Sequence, residues 1–460
     1  MALRLYNSLT RAKDELAPSA PPKVSLYTCG PTVYNYQHVG NYRTYVFEDL
    51  LVRTLKLLGF APNRVMNITD VGHLTSQGDE GEDKMEVGAA REGKSAWDIA
   101  KFYTEAFLTD CRSLDLLAAD ELCRATDNIP EQIALVQKLD AKGFVYKTAD
   151  GLYFDTAKLP DYGKLMTKEH LEGLKSGARV EANEEKRHIT DFALWKFSPK
   201  GTTRQMEWES PWGKGFPGWH IECSAMAMKY LGDTLDIHCG GIDHVPVHHT
   251  NEIAQSEGAT GKPFAKIWMH GEFLLMNNAK MAKSAGGFIK LADLSARGYS
   301  PLDYKYLCYT AHYRKQLDFT WESLEAAKTA RRRLKESIVA LSSEAPKPGC
   351  AEFSERFRSA LADDLNAPSA LAVAWDALKS DLPGGAKMAF LKEVEATLAL
   401  GLFKAEAEAA VPAEVSALVA KRAEAKAKKD FAASDLIRKQ IEEMGWLVKD
   451  GKDGSKAVKK

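Results

Sequence analysis

Residues 24–68 place a short apolar strand, a Gly-Pro turn, a helix and a second strand in immediate succession, and that order commits this part of the chain to a parallel α/β sheet. Val24-Ser-Leu-Tyr-Thr-Cys29 reads as a buried strand ending at Gly30-Pro31. Val46, Leu50 and Leu57 predict a helix over 41–58, and Arg64–Ile68 predicts the returning strand after Gly59. The pattern resumes much later, with a helix over 220–231, a strand over 234–238, a helix over 248–257 and a strand over 266–276. Between the two runs, 98–142 reads as helical, 143–156 as a hairpin around Ala149-Asp-Gly151, and 160–215 as polar and turn-rich. The expected fold class is therefore α/β, a Rossmann-type parallel sheet split by an insertion.

Strand patterns end near residue 320, where Phe353, Phe357, Leu361 and Leu365 repeat at helical spacing. A chain of 460 residues exceeds what one core organises, so several domains are expected. Their boundaries read as 1–97 with 216–275 for the sheet, 98–215 for the insertion, 276–320 for a connecting region, 321–405 for a helical bundle and 406–460 for a small unit opened by Val411-Pro412 and closed by a hairpin from Trp446. The net charge of −1 gives no global field toward nucleic acid or membrane, although residues 411–460 carry twelve Lys/Arg against eight Asp/Glu. Seven scattered cysteines and a start without an apolar signal region point to a reducing cytoplasm, and no stretch is apolar for long enough to make a membrane helix.

Four groups of residues carry chemistry. His38-Val-Gly40-Asn41 lies where the first strand turns into its helix, the edge of a parallel sheet at which ligands bind. Gly40 lets a phosphate approach backbone N–H groups, and His38 and Asn41 donate to phosphate oxygens, although a lone His before a helix more often caps it. Lys280-Met-Ala-Lys283-Ser284 supplies two cations suited to a departing pyrophosphate, or simply a solvated loop. Asp236-Ile-His238-Cys-Gly240-Gly241-Ile-Asp243 ends a strand in glycines on which an adenosine can lie, with Asp243 accepting from ribose or merely capping a turn. Cys29, Cys223, His248 and Glu252 form a metal set in which the last two share a helical face, with His244 and His249 competing for the histidine position.

Taken together, the first two groups resemble the two signatures of class I aminoacyl-tRNA synthetases. Thr28-Cys29-Gly-Pro-Thr-Val-Tyr34, Phe216-Pro-Gly-Trp219-His-Ile-Glu-Cys223 and Asp236-Ile-His238 leading to His248-His-Thr-Asn-Glu252 resemble the cysteinyl branch over essentially the whole chain. The resemblance implies a zinc ion on Cys29, Cys223, His248 and Glu252 that binds the substrate thiol, and cysteine contacts from Thr32, Thr69, Trp219 and His238. It implies ATP handling, with Mg2+, by His38, Gly40, Asn41 and Lys283, with Lys280 in support. It further implies a lysine-signature and stem-contact region over 276–320, an anticodon-binding role for the helical bundle of 321–405, and tRNA contacts from that bundle and the small basic unit after it. Asn41 stands for the second His of the first signature, Ala282 for a Ser, and Cys239 and Thr250 for Gly and Glu, while the acidic run Gly78–Asp83 has no assigned role.

The implied reaction activates L-cysteine with ATP and transfers it to the terminal ribose of tRNA(Cys), in a monomer. An apolar pocket separates serine from cysteine by only about 1–3 kcal/mol. A metal-bound thiolate makes editing unnecessary. Two rivals are a ligase joining cysteine to an amino sugar and a non-catalytic tRNA-binding paralogue. The basic run Lys328, Arg331, Arg332, Arg333 and Lys335 favours RNA as acceptor over the first, or is a solvated helix face.

Overall fold

The computed structural model describes residues 1–72, 83–167, 185–199, 201, 204–276, 279–280, 288–341, 345–404, 412–451 and 454–459. After a hairpin of Arg4–Asn7 (β1) and Ala12–Glu15 (β2), Lys23–Thr28 (β3) crosses through Val39–Leu57 (α1) to Ala61–Ile68 (β4), which pairs parallel to it. Lys84–Glu92 (α2) and Ala96–Ser113 (α3) lead to Glu121–Arg124 (β5), parallel to β4. Ile129–Ala141 (α4) then carries the chain to an antiparallel sheet of Val145–Lys147 (β6), Gly151–Phe154 (β7), Phe192–Phe197 (β8) and Gly215–Pro217 (β9). Trp219–Leu231 (α5) brings it back to Leu235–Gly241 (β10), and Thr250–Thr260 (α6) to Ala265–Gly271 (β11).

The central sheet has the order β11-β10-β3-β4-β5, and every pair in it is parallel. Connections run one way from β3 and the other way from β10, so the order reverses between these neighbours, the place where parallel sheets open a crevice at their carboxyl ends. Cys29 follows β3 and Gly241 ends β10, which puts two of the sequence motifs on opposite lips of that crevice.

One boundary differs from the sequence reading. β5 lies inside 98–215, yet it extends the parallel sheet, so the chain leaves that sheet only after Arg124. Four residues with Leu122 exposed offer too little apolar pattern to show this edge strand in the sequence. The strand expected over 266–276 is likewise two: β11, and Leu274–Met276 (β12) in a separate small sheet with Ala279–Lys280 (β13) and Leu317–Phe319 (β14).

Helix α1 is buried on almost all sides, including Arg43, Glu48 and Asp49. Glu48 pairs with Arg64 of β4 at 3.1 Å, and Asp49 with Lys305 at 2.9 Å. Leu291–Ala296 (α7), Pro301–Tyr309 (α8), Trp321–Ala340 (α9), Ala351–Ala362 (α10), Ala367–Lys379 (α11) and Gly384–Leu398 (α12) follow. Phe357, Leu361, Leu371 and Phe390 of these helices join the same apolar core as Val46 and Leu50 of α1. The chain forms two compact units, Met1–Leu402 and Phe403–Lys460. The second holds Ala413–Ala427 (α13), Phe431–Glu443 (α14) and the hairpin Trp446–Gly451 (β15) with Gly454–Lys459 (β16), closed over Val415, Ile441, Trp446 and Val448.

Candidate functional site

A cavity of about 460 Å³ occupies the crevice. His38 is the N-cap of α1: its Nδ1 accepts from Asn41 N at 3.2 Å, and Asn41 Oδ1 accepts from His38 N at 3.2 Å. The capping reading of the motif is the one these bonds show. Because Nδ1 accepts, the neutral ring carries its hydrogen on Nε2, and Asn41 keeps its side-chain NH2 as a donor. A Cβ at Gly40 would sit 2.9 Å from the His38 ring, so this glycine makes room for the imidazole as well as leaving the helix end open.

His38, Asn41, Thr32 and Thr69 line the cavity, as do Gly241 and Asp243. Gly240 does not: a Cβ there would lie 2.6 Å from His244 Nδ1 and from His249 Cε1, so it makes room for His244 on the cavity wall and for the buried His249. Thr32 and Thr69 bridge parallel extensions of β3 and β4, and Thr69 Oγ1 donates to the buried Glu222 at 3.3 Å. Burial, and then Asp70 nearby, push the Glu222 carboxyl well above its usual range. Of the lysine motif, Lys280 lies in β13, and Lys283 lies outside the described residues.

Cys29, Cys223, His248 and Glu252 bring their donor atoms within 4.8 Å of one another, and all four side chains are buried. The helix carrying the last two opens with a π turn, Val245–His249, and His248 Nε2 still meets Glu252 Oε1 at 2.9 Å. His220 Nδ1 lies 3.0 Å from His248 Nδ1, which leaves Nε2 of His248 for the cluster. A second grouping shares Cys29 and Glu252 but uses His238 and His249. Here His249 Nε2 is 3.3 Å from Cys29 Sγ, while its Nδ1 is 2.8 Å from His270. Only the first grouping has three members on the cavity wall, Cys29, Cys223 and His248.

The donor set suits a divalent metal. Burial, with Cys223 beside it, drives the Cys29 thiol well up, and burial does the same to the Glu252 carboxyl, whose Oε2 makes no hydrogen bond. The Cys223 thiol is held below its usual value by its contact with Cys29. Two thiols, an imidazole and a carboxylate buried side by side are a set whose joint ionisation a dication would compensate. His238 is fully buried, off the cavity, with Nε2 3.7 Å from Cys29 Sγ. Trp219 stands on the wall with its ring 4.6 Å from that of His248.

Sequence reasoning missed several contributors. Gly30 N donates to Asn67 Oδ1 at 2.8 Å, and a Cβ on Gly30 would fall 1.7 Å from Asn67 O. Arg43 of α1 donates to the carbonyls of Glu272, Phe273, His312 and Lys315, tying the signature helix to the segments that lead into β12 and β14. The single available signal was a charged residue one turn into a helix opening on the crevice.

Residues 15–329 match the family model described as "tRNA synthetases class I (C) catalytic domain", and residues 408–456 match "Cysteinyl-tRNA ligase anticodon binding domain". The anticodon description thus falls on the small C-terminal unit, not on the bundle of 321–405 to which the sequence reading gave that role. Cysteine–tRNA ligase 1 of Burkholderia lata is 52% identical over 99% of this chain and 97% of its own. The cysteine–tRNA ligases of Treponema denticola, 42% identical, and Novosphingobium aromaticivorans, 44% identical, each cover 98% of this chain and 98% and 95% of their own. A Mycobacterium tuberculosis methionyl-tRNA synthetase bound by methionyl-adenylate superposes with a TM-score of 0.54 over 82% of this chain and 88% of that one, at 15% identity, a likeness of fold alone. By sequence along its whole length, and by a fold that class I synthetases share, the chain belongs to the cysteine–tRNA ligase family.

Proposed function

We infer that the protein is a cysteine–tRNA ligase, which activates L-cysteine with ATP and transfers it to tRNA(Cys), acting as a cytoplasmic monomer. The observation that carries the reading is the juxtaposition of a thiol-rich donor cluster with the first signature on the wall of one cavity. Relatives aligned over 98–99% of the chain lend no support to the amino-sugar ligase or the non-catalytic paralogue. Among the described residues no helix is long and apolar enough to cross a membrane, and all seven cysteines are free.

Cys29, Cys223, His248 and Glu252 would hold one zinc ion. Zinc, when bound, turns the substrate thiol into a soft thiolate that a serine hydroxyl does not imitate. Thr32, Thr69 and Trp219 shape the amino-acid end of the cavity, and His238 supports it from below. His38 Nε2–H and the Asn41 amide donate to phosphate oxygens of ATP, Gly241 leaves space for the nucleoside, and Asp243 accepts from its ribose. The cysteine carboxylate attacks the α-phosphorus, and Lys280 and Lys283 take up charge on the departing pyrophosphate, where Mg2+ brought with ATP would add to it. A ribose hydroxyl of the tRNA then attacks the acyl carbon and releases AMP. The unit Phe403–Lys460 takes the anticodon, and 276–320 with the helices after Thr320 hold the tRNA between its two ends.

The test is ATP–pyrophosphate exchange with cysteine, with serine as control, on wild-type protein of known zinc content and on Cys223→Ser. Exchange with cysteine alone, falling with metal content by about 10- to 100-fold or more in the variant, is expected. A well-folded, zinc-loaded protein with no exchange would refute the reading.

A further inference from the structure

Lys84 is the only lysine or arginine on the cavity wall among the described residues. It begins α2, and its Nζ stands 5.5 Å from the centre of the Trp219 ring. Its described acidic neighbours in sequence, Asp83 and Glu86, are engaged elsewhere. Asp83 Oδ1 caps α2 by accepting from Met85 N and Glu86 N, and its Oδ2 pairs with Arg204. Glu86 accepts from Gln205 N at 2.8 Å and from Gln205 Nε2 at 3.3 Å. Lys84 has no carboxylate partner among the described residues, and its burial lowers the affinity of the amine for its proton with no acid opposing the effect.

A half-buried ammonium that meets an aromatic ring and no carboxylate among the described residues is poorly compensated by them, since cation–π attraction offsets only part of the lost hydration. Such a group fits a site whose ligand brings the missing negative charge. Trp219 touches both Lys84 and His248, so the cation lies one ring away from the donor cluster. In cysteine the carboxylate carbon is three bonds from sulfur, about 4 Å at most. A thiol placed at Cys29, Cys223 and His248 therefore brings its carboxylate toward the ring that Lys84 covers.

We propose that Lys84 binds the α-carboxylate of the cysteine substrate and holds it for attack on ATP. The proposal rests on the cysteine-activating reading of the site. The lysine keeps its proton throughout: a carboxylate oxygen forms the new bond to phosphorus, and the bond to pyrophosphate breaks with its electron pair on the leaving group. The basic side chain orients the nucleophile and neutralises it during binding, so its loss appears in cysteine affinity more than in turnover.

Full-length wild-type protein, Lys84→Met and Lys84→Arg are titrated calorimetrically with cysteine and with cysteamine, which has the same thiol and amine but no carboxylate. Exchange and tRNA charging are measured alongside. Lys84→Met is expected to bind cysteine about tenfold to a hundredfold more weakly with KM raised to match, to bind cysteamine as well as the wild type or better, and to be largely rescued by Lys84→Arg. Equal weakening of both ligands would show only a packing role beside Trp219 and would overturn the proposal, as would unchanged cysteine binding. Normal exchange with slowed transfer would move Lys84 to a phosphodiester of the tRNA end and also overturn it. Absence of cysteine-dependent exchange in the wild type would instead remove the underlying reading.

Discussion

His38 caps its helix through one nitrogen of its ring: Nδ1 accepts from Asn41 N, which places the hydrogen of the neutral imidazole on Nε2. Gly40 protects this arrangement, because any Cβ would press on the imidazole at 2.9 Å. Alanine is favoured over glycine inside a helix by up to about 1 kcal/mol. Gly40→Ala is therefore expected to leave Tm unchanged or slightly raised in scanning calorimetry, while exchange falls and the KM for ATP rises. Unchanged exchange would mean the ring yields without consequence. The residue types of this motif were legible in the sequence. The reason for its glycine was only half legible, because phosphate access follows from general chemistry, whereas contact with the His38 ring depends on a side-chain rotamer that no spacing reveals.

At the scale of elements, α1 is the hub of the larger unit. Asp49 accepts from Lys305 at 2.9 Å, Arg53 at 2.8 Å and Leu117 N at 2.8 Å. Burial opposes its charge, but Lys305 and Arg53 outweigh burial and hold the carboxyl below its ordinary value. An acid with a depressed folded pKa stabilises the fold above its unfolded pKa of about 3.9, and that contribution is lost as pH falls through the folded value. Asp49→Asn, which leaves Lys305 buried without its counter-charge, is expected to cost about 3–5 kcal/mol at pH 7 in urea unfolding. Its stability should also fall less steeply than the wild type's below pH 4. A variant with wild-type stability would refute this account. Arg43→Met frees the Glu272, Phe273, His312 and Lys315 carbonyls, so weaker ATP use in exchange with unchanged cysteine binding is expected. Equal loss of both would indicate general unfolding. The strands flanking the crevice could be read from the sequence because β3 and β10 are apolar runs with glycine stops. The internal ion pairs of α1 could not, because charged residues on a helix read as a solvated face until the helices that cover them are known.

At the scale of the molecule, the division after Leu402 separates the sheet and its helices from a small unit with its own core. A chain ending at Leu402 is expected to retain cysteine-dependent exchange, while charging of tRNA falls by about a hundredfold, the effect of losing near 3 kcal/mol of RNA affinity. Equal loss of both activities would show that the small unit supports the larger one. The parallel sheet also sets a schedule for biosynthesis. β3 pairs with β4 on one side, but its other neighbour, β10, begins only at Leu235. While the chain is still being made, one edge of β3 stays open, and such an edge invites wrong pairing. Strands β6, β7, β8 and β9 emerge during that interval and make a sheet of their own. His248 and Glu252 lie beyond β10 in the chain, so translation order lets the donor cluster of Cys29, Cys223, His248 and Glu252 become complete only after the last strand partner of β3 has been made.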